Sequence, residues 1–276
     1  MLKSPDPVTR RVVHARPRVS SARSAGKLPS PFLVDPAEAK LSKWHEAFFG
    51  IEFLLLVTSP VYYGIGIPHG DGSAVILIPG FLDWDAYLVV MSNWLKRIGY
   101  RPYYSGIGLN AECPNLIIRQ RLNKTIDKAR RESGNKVHLI GHSLGGIIAR
   151  SAAGQRPKDV ASVITLASPF RGTVAHRSVL NSTELVRRFI LLKHGNRVLP
   201  ECFTSRCTCD FVQALRRDLP ASVSQTAIYT RNDGIVDWRY CVTGAHDVDV
   251  EVTGTHTGLA FNPAAYRVIA SRLVKA

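Results

Sequence analysis

Residues 136–141 (KVHLIG) form a continuous apolar run of the kind that makes a strand buried on both faces. They lead directly into Gly141-His142-Ser143-Leu144-Gly145 and then into a small-residue helical stretch, 144–153. A chain that passes from buried strand to helix within so few residues has little conformational choice. The corner residue is forced into a strained backbone, and small residues two positions to either side keep neighbouring backbone from colliding. A serine at that corner projects its hydroxyl above the sheet edge and beside a helix N-terminus, where developing negative charge is favoured. Gly-x-Ser-x-Gly alone says little, because chance placement yields it about 0.1 times in a chain of this Gly and Ser content. The flanking strand and helix make Ser143 a candidate nucleophile, against the plainer reading of a structural turn serine.

The same alternation fills most of the chain. Residues 74–79, 101–105, 160–166, 226–230 and 248–253 read as strands; 86–98, 144–153 and 264–274 read as helices. Ile118, Leu122, Ile126 and Ala129 mark one face of a further helix. This order predicts an α/β fold with a mostly parallel central sheet and helices on both faces. No internal repeat is present. Upstream, Asp35-Pro36-Ala37-Glu38 offers an N-cap, a proline at the first helical position and an early acid, so a helix is expected to begin there. Trp44, Phe48, Ile51 and Leu55 then recur at helical spacing until Pro60. The stretch 47–67 is long enough to cross a bilayer, but Glu52, Pro60 and three glycines argue against that. A helix packed on the core and a helix lying on a membrane surface both remain open.

The 276 residues carry 36 Lys+Arg against 21 Asp+Glu, a formal net charge of +15, and the excess is uneven. Residues 1–30 hold Lys3, Arg10, Arg11, Arg16, Arg18, Arg23 and Lys27 against the single acid Asp6. Residues 1–31 are rich in Pro, Ser and Arg, have no apolar period and lack the apolar core of a secretory signal. They are expected to be a disordered basic extension, with one domain over 32–276. Basicity of this kind is a tail on a mildly basic body. No DNA- or RNA-reading pattern accompanies it, which argues against a nucleic-acid partner.

Several further segments, in order from Gly70 onward, resemble the α/β-hydrolase superfamily and its bacterial lipase/carboxylesterase-like branch. They are Leu77-Ile78-Pro79-Gly80-Phe81, the Gly-His-Ser-Leu-Gly-Gly turn, Leu166-Ala167-Ser168-Pro169-Phe170-Arg171-Gly172-Thr173, Asn232-Asp233-Gly234-Ile235-Val236 and Gly254-Thr255-His256. A serine needs a base to take its proton and an acid to orient that base, and in this superfamily the chain order is Ser, acid, His. Only His246 and His256 follow the late acids. His256 lies at a strand's C-terminal end, the edge expected for Ser143, whereas His246 lies at the opposite edge. The resemblance favours Asp233 as the acid over Asp237, which is left a supporting or surface-pairing role. His142, next to the nucleophile, is expected to line the pocket floor or fill a core slot. The two oxyanion donors are expected to be the amides of Leu144 and Phe81.

The resemblance also implies a cap insertion over the active site, here residues 172–222. Val179, Leu180, Leu185, Phe189, Ile190, Leu191 and Leu192 give it an apolar stripe, either a seat for an acyl chain or the cap's own small core. Cys202, Cys207, Cys209 and Cys241 read first as disulfides tying the cap to the loop after Asp233, or as free thiols. Zinc ranks behind both, because one residue between Cys207 and Cys209 is tight for two ligands. Cys113 is expected to pack in a loop. The implied activity is a serine hydrolase, cleaving a small-molecule or lipid ester with an apolar acyl group, with no metal or cofactor. Acyl transfer, thioester or amide cleavage by the same triad stands as the alternative, with a non-catalytic binding scaffold behind it. The expected setting is cytoplasmic or peripheral to a membrane.

Overall fold

The strand order of the main sheet decides where every candidate side chain ends up. In the computed structural model, which describes residues 34–276, β2 (Ala74–Ile78), β3 (Arg101–Tyr104), β4 (Val137–His142), β5 (Val160–Leu166), β7 (Ser224–Tyr229) and β8 (Asp249–Glu251) form one sheet. Their order is β3-β2-β4-β5-β7-β8, all parallel. A second, two-stranded parallel sheet pairs β1 (Val34–Glu38) with β6 (Gly172–Ala175). The helices are α1 (Phe49–Thr58), α2 (Val89–Arg97), α3 (Pro114–Ile117), α4 (Asn123–Ser133), α5 (Leu144–Gln155), α6 (Arg177–His194), α7 (Asp210–Leu215) and α8 (Pro263–Leu273). Because all main-sheet strands run the same way, the loops that leave β2, β4, β7 and β8 emerge at one edge, and those loops carry Phe81, Ser143, Asp233 and His256. The extension expected over 1–31 lies outside the described residues.

The continuous apolar strand runs arise because both sheet faces are covered. Val75 and Leu77 point into one core with Met91, Trp94, Tyr266 and Ile269. Ala74, Ile76 and Ile78 point into the other with Ile118, Leu122, Ile126, Ile148 and Ala152. Trp94 is fully buried, donates its indole N–H to the Val61 carbonyl at 2.9 Å and packs on Tyr266 with ring centroids 4.4 Å apart. Burial on that scale is worth about 2–3 kcal/mol.

One sequence expectation fails locally. Asp35-Pro36-Ala37-Glu38 forms strand β1, not the start of a helix. Val34, Ala37 and Glu38 register against Gly172, Val174 and Ala175, with the register shifting across the proline-containing stretch between Val34 and Ala37. Pairing with a distant strand outweighs the local capping signal. Within 172–222, the segment around α7 is hydrogen-bonded to α5. Ser151 Oγ on α5 donates to the Phe211 carbonyl at 3.0 Å, and buried Arg150 donates to the carbonyls of Leu215 and Arg217 at 3.0 and 3.2 Å.

Candidate active site

Ser143 sits at the β4–α5 corner with φ 52° and ψ −123°, a conformation that L-residues rarely adopt. The glycines around it are sterically required. A Cβ on Gly141 would collide with the backbone of Gly145, and one on Gly145 would collide with the carbonyls of Ile78 and Pro79. The Ser143 amide donates to the Leu166 carbonyl at 2.8 Å, tying the corner to β5.

Asp233 and His256 meet beside it. Asp233 Oδ2 lies 2.7 Å from His256 Nδ1, and Asp233 Oδ1 accepts from the amides of Ile235 and Val236, each at 2.8 Å. The carboxylate is thereby fixed by its own turn and aimed at the ring. Nδ1–H donates to Asp233, so Nε2 is left with a lone pair, the form a general base needs. Burial opposes protonation of this ring, but the Asp233 carboxylate, aided by Glu46 and Asp83, outweighs it and raises the His256 pKa. His142, the residue before Ser143, reaches the same loop: its Nε2 donates to the His256 carbonyl at 2.9 Å and the two ring centroids lie 5.1 Å apart. Burial, followed by the nearby His256, pushes His142 down to about 3, so its ring is neutral at ordinary pH. Among the hydrogen bonds of the described residues there is none between Ser143 Oγ and His256 Nε2. Such catalytic contacts commonly tighten only around a reacting group.

The loop that carries His256 is held by two side chains that sequence reading did not assign to the site. Glu46 Oε1 accepts from the amides of His256 at 3.0 Å and Gly234 at 3.1 Å, and its Oε2 accepts from Thr257 N at 3.0 Å. Glu52 accepts from the Thr255 amide at 3.2 Å, the Thr255 hydroxyl at 2.5 Å and Asn262 Nδ2 at 3.2 Å. Three consecutive amides of one loop thus end on two carboxylates, a charge-assisted arrangement stronger than neutral bonds. The clue in sequence was Glu52 inside an apolar run, which served there only as an argument against a membrane span.

Other candidates fall elsewhere. His246 is exposed on the loop before β8. Asp237 caps the turn Trp238–Tyr240 and pairs with Arg239 at 2.5 Å. Phe81 and Leu144 border the same apolar cavity as Ser143. Among the described residues neither amide has an acceptor, although the Phe81 loop is otherwise pinned: Asn110 Nδ2 donates to the Pro79 carbonyl at 2.8 Å, and Leu82 N donates to the Asn110 carbonyl at 3.0 Å. Ile147, Val179, Phe203, Phe211 and Leu215 complete the apolar walls. The expected stripe on α6 divides accordingly. Val179 and Leu180 pack inward and Ile190 is buried, whereas Leu185, Phe189 and Leu192 face out.

The cysteines group differently from the expectation. Cys202 Sγ lies 3.0 Å from Cys113 Sγ, and Cys207 and Cys209 border the same cavity. The Cys202 thiol donates to Cys113, which brings Cys113 down to about 7. Cys241 is buried apart from them, against Ala175 and Val236. Among the described residues no group of three or more His, Cys, Asp or Glu side chains is arranged to hold a metal ion.

Comparison with known proteins agrees with the architecture. Residues 110–199 match the family described as a PGAP1-like alpha/beta domain. A triacylglycerol lipase of Burkholderia plantarii is 32% identical over 132 residues, covering 45% of this chain and 37% of that protein. One of Pseudarthrobacter phenanthrenivorans is 32% identical over 107 residues, covering 36% of this chain and 34% of that protein. The chain thus spans only about a third of the length of the curated relatives it matches. Among solved structures, a soluble variant of monoglyceride lipase from Saccharomyces cerevisiae, in complex with a substrate analogue, superposes with a TM-score of 0.50 at 16% identity. That match covers 76% of this chain and 90% of the yeast chain. The fold is therefore that of the α/β-hydrolases, and the matched segments are similar to a PGAP1-like alpha/beta domain and to triacylglycerol lipases.

Proposed function

We propose that this chain is a serine hydrolase that cleaves carboxylic esters of apolar acids through an acyl-enzyme. The observation that carries the reading is the Asp233–His256 contact of 2.7 Å at the sheet edge where strained Ser143 also stands. In the first half-reaction His256 Nε2 takes the Ser143 proton as Oγ attacks the ester carbonyl. Asp233 stabilises the imidazolium that forms. The amides of Phe81 and Leu144 receive the oxyanion; a donor of this kind is worth roughly 10²–10³ in kcat. The imidazolium returns its proton to the departing alcohol, leaving an acyl-Ser143 ester. Water, deprotonated by the same nitrogen, then releases the acid and restores the serine. The acyl chain sits among Ile147, Val179, Phe203, Phe211 and Leu215, where no charged side chain lines the wall. The lipase names of the relatives favour the same substrate class.

A chain-length series of p-nitrophenyl esters, with Ser143→Ala as control, tests the proposal. Turnover that rises with acyl length and vanishes in the variant supports it. Turnover that persists in Ser143→Ala defeats it. A product carrying an added alcohol would instead mark acyl transfer.

A further inference from the structure

The helix that braces the catalytic loop is inverted for a water-soluble surface. From Trp44 to Pro68 the only acids are Glu46 and Glu52, and both point inward onto the His256 loop; Glu52 is 8% exposed. Most of the large apolar residues point outward, while Leu56 and Val61 are buried. Trp44 is 70% exposed, Phe48 41%, Ile51 53% and Leu55 55%, and nine of the nineteen exposed large hydrophobics of the described residues lie between Trp44 and Ile65. An ordinary surface helix has the opposite polarity. No helix of the described residues is long and apolar enough to cross a membrane.

We propose that this face docks on an anionic phospholipid surface, with the turn Lys43–Phe48 and α1 lying in the headgroup boundary. The surrounding chemistry selects lipid. Trp44 begins the apolar stretch and Tyr62-Tyr63 lie near its end, the aromatic types that settle at lipid–water boundaries. Cations stand at both ends. Lys40 is exposed at the start, and at the finish the guanidinium of Arg97 lies 4.5 Å from the Tyr62 ring centroid. The sequence just upstream, residues 1–30, adds seven basic residues against one acid, which complements an anionic surface. Docking would place lipid against the helix whose inner side holds His256. The inference goes beyond the proposed hydrolysis, and docking is measured without turnover, so either can fail alone.

The test is sedimentation of the full chain with vesicles of phosphatidylcholine and phosphatidylglycerol, beside pure phosphatidylcholine. The comparison protein is the triple variant Trp44→Gln/Ile51→Gln/Leu55→Gln. The wild type should pellet with the anionic vesicles more than with the neutral ones. The triple variant should bind at least about tenfold more weakly, while its melting temperature and its turnover of a soluble short-chain ester stay near wild type. As a second readout, brominated acyl chains should quench part of the tryptophan emission, and Trp44→Phe should remove that part. Three results overturn the proposal: no vesicle binding by the wild type, equal binding by the triple variant, or a wild-type dimer that the triple variant converts to monomer without any vesicle binding, which would make a second copy the occupant.

Discussion

Glu46 accepts the His256 amide at 3.0 Å across 210 positions of sequence, and the same oxygen takes the Gly234 amide at 3.1 Å. One carboxylate therefore fixes both the loop of the base and the loop of its acid. It also helps Asp233 hold the His256 proton. In the proposed mechanism the neutral ring is the base, so a raised pKa moves the rising limb of kcat/KM to higher pH. The limb should have its midpoint above the ordinary imidazole value of about 6.5. Glu46→Gln should lower that midpoint and reduce kcat more than it changes KM, and Glu46→Asp should restore part of the loss. A pH–rate profile for each variant is the check; an unchanged midpoint would mean that Glu46 acts on folding alone.

Asp233→Asn keeps the size of the acid but presents an amide to Nδ1 and favours the wrong tautomer of His256. The expected loss in kcat is roughly 10³–10⁴-fold with the fold intact. Steady-state kinetics beside a near-native circular dichroism spectrum would show it. Asp237→Asn, at the Arg239 pair, should cost no more than about threefold.

His142 gives a stability prediction of definite sign. Its folded pKa, about 3, lies far below the unfolded value, so the unfolded chain binds the proton more tightly as pH falls. Each pH unit below about 6.5 then costs up to about 1.4 kcal/mol until the folded pKa is reached. His256 acts oppositely. Its raised pKa contributes stability that is fully present below the unfolded value and is lost as pH rises through the folded one. Urea melts of His142→Gln between pH 7 and 4 should show a shallower decline than the wild type, whatever the offset at pH 7.

The corner conformation of Ser143 is a stored cost. Ser143→Gly, which removes the Cβ from a backbone that glycine tolerates, should raise stability by about 1 kcal/mol while abolishing turnover. Chemical denaturation of the two proteins measures it.

The strands and core helices could be read from sequence because both sheet faces are covered, which leaves continuous apolar runs such as 74–78 and 160–166. The serine corner was legible for a related reason: Gly141 answers to the backbone of Gly145, only a few residues away, although Gly145 itself answers to the carbonyls of Ile78 and Pro79 at the end of the neighbouring strand. What local pattern could not give was the identity of distant partners. Asp35 carries a helix-start signal, yet its segment pairs with a strand more than 130 residues later. Glu46 and Glu52 look like ordinary helix acids until the His256 loop, some 200 residues on, is folded against them. Leu185 and Ile190 share one apolar stripe in sequence, and only packing shows that the first faces water and the second is buried. Cys202 finds Cys113 and not Cys241 for the same reason.

Labelling with a fluorophosphonate, followed by mapping of the modified peptide, tests most directly whether His256 and Asp233 make the Ser143 hydroxyl a nucleophile. The expected outcome is stoichiometric modification at Ser143, none in Ser143→Ala, and labelling slowed by orders of magnitude in His256→Ala. An unlabelled wild type, or a label on any other residue that survives Ser143→Ala, would contradict it.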